Sequence, residues 1–333
     1  MLNFLQFLLH GPFSAYQLHT WMQRAIDRQK KAHAEGTVKN STYTIKEYLR
    51  FAYYHGVDPL HPSSLQICAF TEMLLDRQIA PATVQNKLSH VRTWIRDCKG
   101  SLDQLDEDKI KRHKDSIIRT SKHIPNIKEP VPITVLKSIM VILPRDNQGW
   151  SIRAAMLALI YGGFRQSEIL PASKAKFNPE INLTRGDVIV QKDQIQFTIK
   201  TGKNLYKPEQ KRVHVFHSST NKDTCIVHAV HMVIMITPTL SDDQPMFTNP
   251  DGSPINVPQL RKVWKESLIT LGHETSKYTL HSVRKTLATS SYLCGISETE
   301  IKEFGAWSSS AYKRYINTKA DININSAMRA LMD

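Results

Sequence analysis

Two residues three apart, His281 and Arg284 in the string HSVRKTLATSSYLCGISETEIKEFGAWSSSAYKRY, carry the clearest chemical possibility in this chain. On a helix, positions i and i+3 share a face, so the pair can point into one pocket. The planar fork of arginine matches a phosphate-type anion bidentately, and histidine adds a hydrogen bond or moves a proton near neutral pH. Neither is the usual nucleophile, so an attacking atom has to come from elsewhere. Tyr312 and Tyr315, preceded by Trp307, are the nearest candidates. An isolated His-x-x-Arg is far more often part of an ordinary amphipathic helix, and the rest of the chain has to decide between the two.

Two further features have the same character. Arg165 follows a nearly all-apolar run that stops at Gly162 and Gly163, and Glu168 comes three residues later. An arginine beside a buried helix end needs a partner, because an uncompensated buried charge is costly. Glu168 can be that partner, in a structural ion pair or as the support of a second phosphate clamp. Lys200 and Lys203 flank the turn TGKN. A lysine on a hairpin can reach a neighbouring groove and donate a proton once burial or nearby cations lower its pKa, although most hairpin lysines only solubilise.

The elements that must position these groups fall into two parts. From about residue 12 to 120 the chain reads as helical. Ser14 can cap the run AYQLHTWMQRAIDRQKKAH, and further helices are expected over residues 40–55, 63–77 and 82–98, joined by short loops as in a small bundle. Lys87, Arg92 and Arg96 make the polar surface of the last of these largely positive. That pattern suits a solvated face as well as a polyanion. Residues 105–132 change character: DEDKIKRHKDSIIRTSKH is densely charged and IPNIKEPVPI is rich in proline, which reads as a linker with a boundary near residue 125. Beyond it, ITVLKSIMVIL, capped by Thr134, and IRAAMLALIY read as core helices. DVIVQKDQIQFTIK and RVHVFH read as strands of a small antiparallel sheet, and the chain then returns to helix in IVHAVHMVIMIT and VPQLRKVWKESLITLG. The expected fold is mainly α with a small antiparallel β-sheet.

At 333 residues the chain is long enough for two domains, and its net charge of +14 points to a polyanionic partner, most simply nucleic acid. Its four cysteines are scattered without a CxxC or Cys/His metal spacing, which reads as reduced thiols of an intracellular protein. Apolar runs at residues 1–9 and 226–236 are shorter than the roughly 20 residues a membrane span needs, and the first lacks the basic start of a signal peptide. These features place the protein in the cytosol or, in a eukaryote, the nucleus.

Taken in order, YGGFRQSEIL, a hairpin lysine, TLHSVRKTLAT and FGAWSSSAYKRYI resemble the tyrosine recombinase, or phage integrase, family. The resemblance covers nearly the whole chain. It implies a helical core-binding domain that clamps DNA (residues 1–120), a linker (121–132) and an α+β catalytic domain with a C-terminal tail helix (133–333). By the same resemblance, Arg165 and Arg284 hold the scissile phosphate, Glu168 supports Arg165, and His281 assists proton movement. Tyr315 is the nucleophile that forms a 3′-phosphotyrosyl link, and Lys200, with Lys203 as the fallback, protonates the leaving 5′ oxygen. Lys87, Arg92, Arg96 and Lys203 are expected to contact DNA. No metal or other cofactor is implied, and double-stranded DNA is the partner. In the family a tail such as the one ending SAMRALMD docks on a neighbouring protomer, which implies a homo-oligomer, a tetramer on two DNA sites.

One position departs from the pattern. The family's sixth residue, a His or Trp, lies nine before the nucleophile, and here that is Ala306, with Trp307 one residue later. Trp307 is expected to serve through a shifted helix, by donating its indole N–H to phosphate or by buttressing Tyr315. The resemblance implies site-specific recombination for integration or excision of a mobile element. The GxWxSxAYxRYI style is more similar to recombinases of eukaryotic mobile elements, DIRS-like or crypton-like, than to bacterial chromosome-dimer resolvases. A type IB topoisomerase, or a recombinase-derived protein that binds DNA without cutting it, are the competing readings.

Overall fold

The computed structural model describes residue 24 and residues 35–99, 101–124, 127–202, 211–307 and 309–316. The chain divides into two compact units, Met1–Pro125 and Asn126–Asp333. In the first, four helices are described: α1 (Glu35–Tyr54), α2 (Ser64–Asp76), α3 (Pro81–Lys99) and α4 (Glu107–Thr120). Apolar residues recurring at helical spacing, among them Tyr48, Phe70, Leu74, Val84, Leu88 and Val91, meet in one core. Ser63 starts α2 with a reciprocal cap, its Oγ accepting from the Gln66 amide while the Gln66 side chain accepts from the Ser63 amide. The helix expected after Ser14 lies outside the described residues.

The charged run expected to be linker is instead the amphipathic helix α4. Asp106 caps it by accepting from the Lys109 amide at 2.9 Å. Ile110 and Ile117, seven residues apart, fall on one face and are buried in the core of the first unit, which leaves the charges on the outer face. Two apolar residues at the right spacing outweigh a high charge density, because the charges remain in water. The end of the expected linker is not a free tether either. Val131 is buried in the second unit, where its amide donates to Thr286 Oγ1 at 2.7 Å, and the Glu129 amide donates to the Lys277 carbonyl.

The second unit opens with α5 (Ile133–Ile142). Its N-cap is Pro132, with no side-chain cap bond, so the expected cap Thr134 falls inside the first turn. Helix α6 (Asn147–Gly162), capped by Asp146, is buried on nearly every side. Arg153 lies fully buried within α6, its guanidinium donating to the carbonyls of Met140, Leu143 and Asp223 and stacking on Trp150. Gly163 then adopts a left-handed φ of 56° and turns the chain into the four-residue helix α7 (Gln166–Ile169). A three-stranded antiparallel sheet follows in the order β1 (Val188–Val190), β2 (Gln194–Ile199), β3 (Arg212–His217). Its register pairs Val188 with Phe197 and Ile199 with Arg212, and Ile195, Phe197 and Ile199 enter the core.

Helix α8 (Ile226–Ile236) packs on α6 and on the sheet, and α9 (Val257–Thr270) packs on α5. Helix α10 (Ser282–Leu293) lies against α6 and α11 (Glu298–Gly305), and a short 3-10 turn, Ser310–Arg314, leads to Tyr315. Three separated stretches, the end of α6, the start of α10 and the chain after α11, are thus gathered at one place. The left-handed backbone of Gly163 is strained for any residue with a Cβ. Gly163→Ala should therefore lower unfolding stability by about 1–2 kcal/mol, measured by urea denaturation.

Candidate active site

The site is built on a buried carboxylate. Glu168 is 2 % exposed. Its Oε1 accepts from Arg165 Nη1 at 2.8 Å, and its Oε2 accepts from the Arg165 backbone amide at 2.7 Å. Arg165 sits at the N-cap of α7, so a single turn fixes both ends of the pair. The same Oε2 lies 3.1 Å from Nη2 of Arg212, the first residue of β3. The sequence pointed to Arg165 and Glu168. It gave no sign of Arg212, whose partner is brought to it only by the fold.

Arg284, also 2 % exposed, joins the ends of two helices. Its Nη1 donates to the Gly163 carbonyl beyond α6, and its Nη2 donates to the Gly305 carbonyl at the end of α11 at 2.7 Å. The guanidinium lies 4.8 Å from the centre of the Trp307 ring, a cation–π contact. Burial, followed by the nearby charge of Arg165, pushes this guanidinium down to about 10, so it remains charged at neutral pH. Two donors remain open: Arg284 Nε and Trp307 Nε1 are both buried with no hydrogen-bond partner among the described residues.

His281 precedes α10, and its Nε2 lies 3.2 Å from the Tyr315 hydroxyl. Partial burial first, then the cations Arg284, Arg165, Lys285 and Arg261, pull His281 below the ordinary imidazole range, although much of the residue still meets solvent. A neutral imidazole can accept the tyrosine proton. Half-buried Tyr315 stands 5.4 Å, ring to ring, from Trp307, and its carbonyl accepts from Thr289 Oγ1. Trp307 takes its place because Ala306, at φ 49°, ends α11 in the left-handed conformation and sends the next residue inward. Ala306, the position counted from the family pattern, is half-exposed, whereas Trp307 is buried against Arg284 and Tyr315. Tyr312 is buried in the small cluster with Ala288, Ile301 and Trp307.

Other expected residues are not brought to this cluster. The ammonium of Lys200 lies 2.5 Å from both Asp187 Oδ2 and the Pro179 carbonyl. Lys203 lies outside the described residues. In the first unit, Lys87 pairs with Glu47 at 2.5 Å and Arg92 pairs with Glu107, while Arg96 is exposed. A cleft of about 530 Å³ beside His281 is lined by Gln166, Arg261, Lys265 and Tyr278. A larger groove, about 1070 Å³, runs along β3 past Arg212, His214 and Trp307 without reaching Tyr315. Among the described residues, no group of three His, Cys, Asp or Glu side chains could hold a metal ion, and no helix is long and apolar enough to cross a membrane.

A buried carboxylate tying two arginines lies beside a histidine on a tyrosine hydroxyl, an arrangement that can bind a phosphate and present an oxygen nucleophile to it. The sequence pattern of the phage integrase family matches residues 133–321. The chain belongs to that family, the tyrosine-type site-specific DNA recombinases. Its fold is similar to that of lambda integrase residues 75–356, with a TM-score of 0.61 at 13 % identity over 91 % of this chain and 96 % of that one. The Tn1549 transposon integrase (TM-score 0.52, 13 % identity, 98 % and 96 % covered) and the XerH recombinase (0.52, 16 %, 81 % and 70 %) are similar in the same way. Among curated proteins, no sequence matches the chain.

Glu168→Gln keeps the shape of the side chain and removes the charge that two guanidiniums share. Loss of one member of a buried ion pair strongly destabilises a fold, so the variant should lose about 3 kcal/mol of unfolding stability in urea denaturation.

Proposed function

We propose that Tyr315 attacks the scissile phosphodiester of a double-stranded DNA site. The tyrosine oxygen forms a bond to phosphorus, the bond to the 5′ oxygen breaks, and a 3′-phosphotyrosyl link conserves the ester for rejoining. Neutral His281 accepts the hydroxyl proton, and Arg165 and Arg284 stabilise the charge that develops on the phosphorane oxygens. Trp307 supports Arg284 and Tyr315 and offers its indole N–H to a phosphate oxygen. The observation that carries this reading is the 3.2 Å contact between His281 Nε2 and the Tyr315 hydroxyl beside the arginine cluster.

Lys200 is the proposed general acid for the leaving 5′ oxygen, once DNA draws its ammonium away from Asp187; Lys203 is the alternative. The helical unit, with Arg96 exposed and Lys87 and Arg92 in exchangeable ion pairs, is proposed to clamp the duplex from its other side. Pairing on DNA as a tetramer on two sites is supported by lambda integrase, solved as a tetramer bound to a Holliday junction. The element served is a mobile one that integrates or excises.

A duplex nicked near the cleavage point traps the covalent intermediate. Wild type should give a protein–DNA adduct resistant to denaturation, Tyr315→Phe none, and Tyr312→Phe an adduct. An adduct in Tyr315→Phe would remove that residue from its role. His281→Gln should slow cleavage by about 10²-fold or more. In wild type the rate should hold as pH falls below 6.5 and drop only as pH passes through the lowered histidine pKa, because the neutral ring is the active form. That acid limb should be missing in His281→Gln.

A further inference from the structure

We propose that Arg212 is a third cation of the phosphate pocket, a positioning residue that acts through Glu168 on Arg165 and leaves the site with charge in excess for its anionic substrate. The proposal rests on the phosphoryl-transfer reading above and extends it to a residue for which neither the sequence motifs nor the spacing of His281 and Arg284 gave any sign.

Arg212 starts β3 opposite Ile199, the residue before Lys200, so its backbone is held by the sheet. The side chain is 17 % exposed, and its Nη2 stands 3.1 Å from the Glu168 oxygen that already accepts from the Arg165 amide. That contact is an ion pair without a hydrogen bond, and Nε and Nη2 of Arg212 are buried with no hydrogen-bond partner among the described residues. A buried guanidinium with unfilled donors is unfavourable, and an apolar residue of similar volume often serves a strand as well or better. The arrangement becomes reasonable if an anion completes it.

The charge count leads to the same conclusion. Arg165, Arg212 and Arg284 act on one another with Glu168 as the one carboxylate among them, so three positive charges against one negative leave two in excess. A phosphodiester carries one negative charge and its pentacoordinate transition state gathers a second. Two arginines with Glu168 would match only the ground state. The third raises the match to the transition state, the condition for accelerating the step rather than merely binding the substrate. Without Arg212, Glu168 would neutralise Arg165 more completely and weaken its hold on the phosphate.

The test compares the full-length wild type with Arg212→Gln and Arg212→Lys in single-turnover cleavage of the nicked duplex. The scissile group is either the natural phosphate or a neutral methylphosphonate. Duplex affinity and melting temperature are measured alongside. On phosphate, Arg212→Gln should cleave about 10²-fold slower with unchanged affinity, and Arg212→Lys should fall between it and wild type. On methylphosphonate the gap between wild type and Arg212→Gln should shrink at least tenfold, by about the factor expected for one lost charge contact, because the charge that Arg212 balances is gone. An equal loss on both substrates would mark Arg212 as a structural strand anchor and overturn the proposal, as would wild-type rates in either variant. If Arg212→Gln melts too low to assay, the same comparison is read from Arg212→Lys, where an unchanged ratio between the two substrates overturns it. Wild type that forms no adduct would instead defeat the underlying reading of Tyr315.

Discussion

A carboxylate taken out of water stays ionised only if donors and cations replace its hydration, and Glu168 obtains both from two directions. The Arg165 turn supplies a guanidinium and a backbone amide, and Arg212 approaches from the sheet. Because Glu168 belongs to a helix of four residues, its own segment has little rigidity; the left-handed Gly163 and the buried α6 before it supply what is missing. The site's geometry therefore starts from the core helix α6. The cluster is positive because the carboxylate is outnumbered by the arginines around it.

Arg284 performs a second joining task. By donating to the Gly163 and Gly305 carbonyls it connects the turn that carries Arg165 to the segment that carries Tyr315, and Trp307 covers it. Burial first, and then the neighbouring cations, lower the proton affinity of both Arg284 and His281. The repulsion has a chemical use. Together with burial it favours the neutral ring of His281 beside the Tyr315 hydroxyl, the form that can take a proton. The Tyr315 hydroxyl, the His281 ring and the cations thus share one electrostatic arrangement.

Much of this was legible in the sequence. Most of the described helices followed from apolar spacing, the three strands from alternation and a turn, and Arg165, Glu168, His281, Arg284 and Tyr315 from short-range patterns whose partners lie within a few residues or on a family motif. Local signals suffice there because periodicity, glycine stops and i,i+3 pairs are local physics. The charged stretch Glu107–Thr120 was misread as linker for the opposite reason. Two isoleucines seven residues apart are a faint signal until a core exists to receive them.

Contacts between distant segments were decided by tertiary structure alone. Arg212 reaches Glu168 because the sheet packs on Phe164, just beyond α6; Lys200 is held by Asp187 because β2 ends beside the turn Arg185–Asp187; and Lys87 and Arg92 are paired rather than free because α3 packs near Glu47 and Glu107. That Trp307, and not Ala306, packs on Arg284 and Tyr315 goes with one left-handed residue at the end of α11. Sequence by itself determined which chemical groups are present and which local turns hold them. The fold determined which charges meet, because Coulomb energy depends on distance in space and on burial, neither of which is written in the spacing of residues along the chain.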